Sequence, residues 1–244
     1  MILPLRETLV YLITNRASFR RESNPGNSEY HPDSSAEAQL EALERAARAG
    51  CQLIQIREKD LGARALARFT RQAIARARPH GARVLVNDRL DVALATEADG
   101  VHLRTTSLSI GTTRQAAIRR GRPDLLIGIS THSMAEARLA EREGADFIVC
   151  GPVFETRSGR REGPVKSPME LGQLAEVCQK IRIPVIALGG IDQNNFQVAL
   201  EAGAAGIAGI ALFQQLTTLE RTIARLRAGV DRVICPSPYP QEES

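Results

Sequence analysis

One unit recurs eight times along the chain: a short apolar run, followed by a polar turn and by a segment with helical periodicity. The runs are four to six residues long and most are rich in Val, Ile and Leu. Runs of this length and composition are typical of strands buried on both faces, as in a parallel sheet. The predicted strands span residues 9–14, 53–57, 84–87, 100–103, 125–130, 147–150, 184–188 and 206–210.

Each predicted strand is followed by a predicted helix, as a parallel sheet requires for its crossovers. The helices cover residues 36–49, 64–78, 91–95, 113–120, 134–143, 168–180, 194–202 and 219–228. Eight such units in 244 residues predict one α/β domain, a (β/α)8 or TIM barrel, which takes ~250 residues. The alternative is an open doubly wound sheet, which would normally carry G-x-G-x-x-G after its first strand; that motif is missing after Thr14.

The predicted domain boundaries follow from the same pattern. The barrel is expected over residues 1–234, interrupted by a long polar loop at residues 15–35. Residues 235–244 hold three prolines and two glutamates and are expected to form a flexible C-terminal tail. Because the chain has no Trp, an aliphatic core is expected.

Composition argues against several classes of function. The net charge is only +4 and no basic patch is studded with aromatic residues, so nucleic acid is not an expected partner. No apolar run approaches the ~20 residues of a membrane span, and no secretory signal is recognisable. Four cysteines without a C-x-x-C pair indicate free thiols in a cytoplasmic protein. Assembly into a homo-oligomer is left open.

Polar residues cluster where the predicted strands end. In parallel barrels the functional site lies at the carboxyl ends of the strands, so these residues predict the site. In chain order, the ends offer Thr14; Gln55, Arg57 and Lys59; Asn87 and Asp88; His102; Ser130 and His132; Thr156 and Ser158; Gly189 and Gly190; Gly209 and Ile210. Packing alone does not explain so many polar residues at these positions.

Three alternating residues, Gln55, Arg57 and Lys59, share one face of the second strand. Two cations on an inward face need anionic partners, because unpaired buried charge is costly. A diphosphate would satisfy both cations; an internal ion pair with Glu58 or Asp88 is the alternative.

Asp88 directly follows the third predicted strand. With substrate phosphates it could hold Mg²⁺ through a single carboxylate. The alternative is that Asp88 caps the short helix after it, a role in which Asp is common.

The other strand ends give weaker signals. Ser130 could bind phosphate or cap the next helix, while His132 is either a general acid–base or a wall residue. His102 is expected to be structural. The glycines that end the seventh and eighth strands allow close backbone approach to a phosphate, as is common at this place in TIM barrels.

Seven motifs resemble one known family over residues 11–213. They are YLIT at Tyr11, QIREK at Gln55, VNDRLDVAL at Val86, ADGVHL at Ala98, IGISTH at Ile127, GPVFET at Gly151 and PVIALGGI at Pro184. The chain resembles the thiamine-phosphate synthases and their relative, the thiazole tautomerase TenI. The resemblance implies condensation of hydroxymethylpyrimidine diphosphate with thiazole phosphate, giving thiamine phosphate and diphosphate.

The resemblance also implies roles for individual residues. Arg57, Lys59, Ser130 and His132 would be catalytic, and Asp88 would bind Mg²⁺. The implied substrate-binding residues are Gln55, Arg57, Lys59, Asn87, Ser130, Thr156, Ser158, Gly190, Ile210 and Ala211.

Three positions depart from the synthase pattern. Ser107 occupies the position where a second metal-binding Asp is usual, Gly159 the position of the usual Lys, and Ala211 the position of the usual Ser. Arg104 would replace one charge of the metal site, and Arg160 or Arg161 would replace the missing lysine. Two alternatives to the synthase are a tautomerase, with His132 as its catalytic residue, and a non-catalytic phosphate-binding barrel.

Overall fold

All eight expected strands form one closed parallel barrel in the order of the sequence. The computed structural model describes residues 7–16, 32–156 and 168–229. The strands are β1 (Leu9–Ile13), β2 (Leu53–Ile56), β3 (Arg83–Asn87), β4 (Gly100–Leu103), β5 (Leu126–Thr131), β6 (Phe147–Cys150), β7 (Val185–Leu188) and β8 (Gly206–Gly209). Since β8 pairs with β1, the carboxyl ends of all eight strands meet at one mouth.

Helices alternate with the strands through the described residues. They are α1 (Pro32–Arg48), α2 (Ala63–Ala77), α3 (Leu90–Ala95), α4 (Ile110–Arg119), α5 (Met134–Arg142), α6 (Leu171–Lys180), α7 (Phe196–Glu201) and α8 (Leu219–Ala228). Short 3₁₀ helices span Arg78–His80 and Ala211–Phe213. The TIM-barrel prediction is therefore confirmed.

Three helix starts differ from the sequence prediction by three residues or more. Helix α1 begins at Pro32, so residues 32–35 belong to a helix rather than to the expected polar loop 15–35. Helix α4 begins three residues early because Ser109 caps it, accepting a hydrogen bond from the Thr112 N–H at 3.1 Å. Helix α6 begins three residues late, at Leu171. The middle of the polar loop and the expected tail lie outside the described residues.

The core has two layers. Inside the barrel, alternate strand residues pack together, among them Leu9, Tyr11 and Phe147. A larger apolar layer lies between the strands and the surrounding helices. Both layers are mostly aliphatic, as expected, but each also contains aromatic side chains: Phe69, Phe196 and Phe213 in the outer layer. In the barrel interior, the Tyr11 and Phe147 rings meet edge to face with centroids 5.7 Å apart.

Gly128 on β5 makes room for this aromatic group. A Cβ atom at Gly128 would lie 2.2 Å from the Phe147 ring, a distance that no relaxed packing allows. The ring can therefore fill the barrel interior only because residue 128 has no side chain. The described part of the chain has no helix with the length and apolarity needed to cross a membrane.

Candidate active site

The mouth of the barrel opens into a cavity of about 400 Å³. Its wall includes Gln55, Arg57, Asn87, Ser130, His132 and Ile210, six of the residues that the sequence selected. They come from the carboxyl ends of β2, β3, β5 and β8. The structure thus brings together side chains that are up to 155 positions apart in the chain, at the place that the fold predicts.

A second cavity of about 450 Å³ adjoins the first and shares Arg57, Asn87 and Arg104 with it. Lys59, Asp88 and Arg89 also line this cavity. Four cationic side chains therefore surround a space that adjoins the mouth cavity, which makes it a good receptor for a multiply charged anion. We refer to the two spaces as the mouth cavity and the cationic cavity.

Gln55 lies on the floor of the mouth cavity and is only 2% exposed. Its side-chain nitrogen donates to Asn87 Oδ1 at 2.8 Å. Gln55 Oε1 is buried without a hydrogen-bond partner among the described residues. A buried acceptor left open in this way is a place for a ligand donor.

A hydrogen bond fixes the backbone of Arg57 at the end of β2. The Arg57 N–H donates to Thr14 Oγ1 at 2.9 Å, which links the ends of β1 and β2. The neighbouring Glu58, a partner weighed for Arg57 and Lys59, accepts from the Arg16 N–H at 2.9 Å and from the Gln39 amide at 3.0 Å. Burial raises the pKa of Glu58. Glu58 therefore ties Arg16 and α1 to the base of the cationic cavity.

Asp88 adopts a left-handed backbone conformation, with φ at +64°. Its carboxylate accepts hydrogen bonds from the Arg104 guanidinium and from the Ser107 hydroxyl. Helix α3 has Arg89 as its N-cap and no side-chain cap, so the alternative that Asp88 caps this helix is wrong. The described residues contain no cluster of three His, Cys, Asp or Glu side chains suited to a metal ion. Among the described residues, the second acidic side chain that lines the cationic cavity is Glu58, whose carboxylate is held by Arg16 and Gln39.

His102 connects the barrel interior to the mouth cavity. Its Nδ1 lies 3.3 Å from the Tyr11 hydroxyl, and its Nε2 lies 2.9 Å from Ser130 Oγ. Burial, reinforced by the charge of Arg57, lowers the pKa of His102 to about 4. The sequence signal for this contact is weak, because nothing in a single strand shows that His102 on β4 points at the end of β5.

This buried imidazole predicts an acid-sensitive fold. The unfolded chain gains a proton on His102 near pH 6.5, whereas the native state gains it only near pH 4. Stability is therefore lost as the pH falls from 6.5 toward 4, by roughly 3 kcal/mol at pH 4.5. Urea unfolding of the wild type and of His102→Gln at pH 7 and pH 4.5 checks this.

Between pH 7 and pH 4.5, the free energy of unfolding of His102→Gln should fall by roughly 3 kcal/mol less than that of the wild type. Glu58 acts with the opposite sign, because its pKa is raised, but it is present in both proteins and cancels in the comparison. Equal acid sensitivity of the two proteins would contradict the buried neutral state of His102.

His132 is fixed at the end of β5 by two contacts. Its backbone N–H donates to Glu136 Oε2 at 2.6 Å, and its Nδ1 contacts the carbonyl oxygen of Gly151. A carbonyl oxygen only accepts, so in the neutral ring Nδ1 carries the proton and Nε2 is the basic atom. His132 lines the mouth cavity and has the properties of a general base.

The remaining predicted residues lie at the part of the mouth near β7 and β8. The 153–155 segment runs along the end of β7, where Val153 N–H donates to Leu188 O and Phe154 N–H donates to Gly189 O, each at 2.9 Å. Gly190, with φ at +65°, packs directly against this segment. Ala211 begins the 3₁₀ helix after β8. Thr156 follows the packed segment, and Ser158 lies outside the described residues.

The chain is similar to known proteins of one family. A family model described as thiamine monophosphate synthase matches residues 29–213. The thiamine-phosphate synthase of Halalkalibacterium halodurans is 39% identical over 183 residues, covering 75% of this chain and 82% of that protein. That of Shouchella clausii is 36% identical over 179 residues, covering 73% and 81%. The structure of thiamine phosphate pyrophosphorylase from Pyrococcus furiosus superposes with a TM-score of 0.75 at 29% identity, covering 95% of this chain and 99% of that one.

Proposed function

Since the chain belongs to the thiamine monophosphate synthase family, we infer that it is a thiamine-phosphate synthase, a transferase of thiamine biosynthesis. It condenses hydroxymethylpyrimidine diphosphate with thiazole phosphate and releases diphosphate. The observation that carries this conclusion is the pair of adjoining cavities. One has polar groups suited to a heterocycle, and the other has four cations suited to a diphosphate.

The pyrimidine ring is assigned to the mouth cavity. An aminopyrimidine presents an amino donor beside a ring-nitrogen acceptor. The open acceptor Gln55 Oε1 complements the amino group, and the amide nitrogen of Asn87 and the hydroxyl of Ser130 are available for ring nitrogens. Gln55 is buried, and Asn87 and Ser130 are half-buried, so a mismatched ring would be costly because it would leave a polar atom without a partner.

The diphosphate is assigned to the cationic cavity. The bond between the pyrimidine methylene and the diphosphate oxygen breaks, and the electron pair leaves with the oxygen. Arg57, Lys59 and Arg104 neutralise the charge that develops on the leaving group. The lone pair of the thiazole nitrogen then attacks the methylene cation, and no protein nucleophile is needed.

The thiazole phosphate is assigned to the β7 and β8 side of the mouth. Gly190, Ile210 and Ala211 place backbone groups there, and Thr156 and Ser158 would supply hydroxyls. The support is the position of Gly190 and Ile210 after β7 and β8, which lie three and two strands from β2 around the closed barrel, and Ile210 lines the mouth cavity together with Arg57. This arrangement lets the ring nitrogen face the methylene cation within the mouth cavity.

A Mg²⁺ ion is proposed to accompany the diphosphate. The residues fit such an ion only together with substrate: the Asp88 carboxylate and the Ser107 hydroxyl are hard oxygen ligands, and phosphate oxygens and water would supply the rest. The ion would supply charge neutralisation on the leaving group. Arg104, which now contacts Asp88, already contributes one positive charge at the same carboxylate.

A coupled assay tests the function. The purified protein is given both precursors, with and without Mg²⁺, and thiamine phosphate and diphosphate are measured. We expect equimolar products, with turnover that rises when Mg²⁺ is added. Isomerisation of a carboxythiazole phosphate without condensation would identify a tautomerase that uses His132, and neither reaction would identify a binding protein.

A cytoplasmic location is part of the same proposal. It is supported by the free thiols of Cys51 and Cys150, which are buried in the barrel and have pKa values raised by burial to about 12 and about 11. A homo-oligomer is compatible with the function but has no support from the contacts described.

A further inference from the structure

We propose that Tyr11 and His102 are positioning residues that fix the direction of the Ser130 hydroxyl, so that it donates its hydrogen into the mouth cavity. Tyr11 is completely buried, and His102 contributes to the lining of the mouth cavity but is only 3% exposed; neither is a predicted substrate contact. Both act through Ser130, which lies at the edge of the cavity. The inference rests on the proposed function only for the identity of the ligand atom that accepts the hydrogen bond.

The geometry is a short chain of polar atoms that leads out of the barrel core. Tyr11 is completely buried and His102 is 3% exposed. The Tyr11 hydroxyl lies 3.3 Å from His102 Nδ1, and His102 Nε2 lies 2.9 Å from Ser130 Oγ. The Phe147 ring packs against both rings, with centroid distances of 5.7 Å to Tyr11 and 6.1 Å to His102. The imidazole therefore has little freedom to turn away.

Counting hydrogens decides which nitrogen of His102 is protonated. The Tyr11 hydroxyl has one hydrogen, and its hydrogen-bond partner among the described residues is His102 Nδ1. If Nδ1 carried the ring proton, that hydroxyl hydrogen would be buried without an acceptor, which is costly. Tyr11 therefore donates to Nδ1, and the ring proton lies on Nε2.

The direction of the second bond follows. With its proton on Nε2, His102 donates to Ser130 Oγ. The hydroxyl hydrogen of Ser130 then cannot point at the imidazole and is left for the cavity. In the opposite tautomer Ser130 would donate to His102, and only its lone pairs would face the ligand.

The consequence is a fixed hydrogen-bond polarity at the cavity floor. Ser130 offers a donor, while Gln55 Oε1 offers an acceptor that has no partner among the described residues. A ligand with an acceptor atom beside an amino group matches this pattern, and a ring with the reversed pattern does not. Because burial keeps His102 neutral well below pH 7, the polarity is constant across the physiological range.

The first test reads the tautomer in the wild-type protein and needs no variant. Uniformly ¹⁵N-labelled protein is examined by long-range ¹H–¹⁵N correlation at pH 7, where the four histidines give separate ring patterns. We expect the His102 ring to be neutral and protonated on Nε2. A ring protonated on Nδ1, or a charged ring, would overturn the proposal.

The second test is a double-mutant cycle on ligand affinity. Calorimetry measures the Kd of the aminopyrimidine diphosphate, without thiazole phosphate, for wild type, Tyr11→Phe, Ser130→Ala and the double variant. We expect Tyr11→Phe to weaken binding about 10-fold in the wild-type background and less than 2-fold in the Ser130→Ala background. A purely structural role for Tyr11 would give the same loss in both backgrounds, and that result would refute the inference.

Thr113→Val is the matched control, because it removes a buried hydroxyl that has no hydrogen-bond partner among the described residues. It should leave Kd unchanged. The two proposals can fail independently. If the proposed function is wrong, the coupled assay gives no thiamine phosphate, but the His102 tautomer can still be measured in the wild-type protein.

Discussion

Replacing Arg57 with methionine is expected to lower kcat/KM for the pyrimidine diphosphate by roughly 10²- to 10³-fold. Arg57 is shared by the mouth cavity and the cationic cavity, so it lies where the ring meets its leaving group. The charge on the diphosphate grows as the carbon–oxygen bond breaks. A guanidinium at that point therefore stabilises the transition state more than the ground state. Steady-state kinetics in the coupled assay measure the effect.

The division between kcat and KM makes the prediction sharper. A residue that only binds the substrate would change KM, whereas one that stabilises the departing diphosphate would lower kcat as well. We expect most of the loss to appear in kcat. Arg57→Lys keeps the charge but not the planar fork of donors, so it should recover only part of the activity.

Arg78→Met is the matched control for charge and length. Arg78 lies at the opposite end of β3 from the mouth and pairs with Asp99 at 3.0 Å. Its removal changes the net charge as Arg57→Met does but leaves the cationic cavity intact. If both variants had equal activity, general electrostatic steering would explain the effect and the assignment of Arg57 would fail.

The fold could largely be predicted from the sequence because each strand has a recognisable local sequence pattern. β4 and β6 were located to the residue, as was α8, since runs such as 147–150 contain their own β-branched pattern and their own boundaries. The largest errors lie at helix starts. The Ser109 cap and the Pro32 start depend on single residues that also occur commonly in loops.

The residues of the candidate site could be predicted only where the fold itself brings them together. Parallel strands gather Gln55, Asn87 and Ser130 at one mouth, so their meeting follows from topology. The partners of those residues do not follow from it. The contact of Asp88 with Arg104 and Ser107 depends on the path of the loop after β4, and strand patterns contain no information about that path.

Gly190→Ala is expected to damage both stability and thiazole-phosphate binding. Gly190 has φ at +65°, a conformation that costs an L-residue roughly 1 kcal/mol. An added Cβ would also lie 2.5 Å from the carbonyl oxygen of Glu155 and 2.7 Å from Phe154. Overpacking against backbone atoms costs about 1–3 kcal/mol, so the free energy of unfolding should fall by about 3 kcal/mol.

The same collision should weaken the site. The segment that the new Cβ would displace leads directly into Thr156, one of the hydroxyls assigned to the thiazole phosphate. We expect KM for thiazole phosphate to rise more than 10-fold, while the Kd of the pyrimidine diphosphate changes little, because Gln55 and Arg57 lie at the end of β2, three strands from β7 around the barrel. Thermal unfolding should show a Tm about 6–12 °C lower.

Gly81→Ala separates backbone strain from the collision. Gly81 has a similar left-handed conformation, with φ at +81°, but an added Cβ would meet no atom within 4 Å. It lies in the turn before β3, on the face of the barrel away from the mouth. This variant should lose only about 1 kcal/mol and retain normal kinetics. If Gly190→Ala behaved in the same way, the close packing of Gly190 against residues 154 and 155 could not be what shapes the thiazole side of the site.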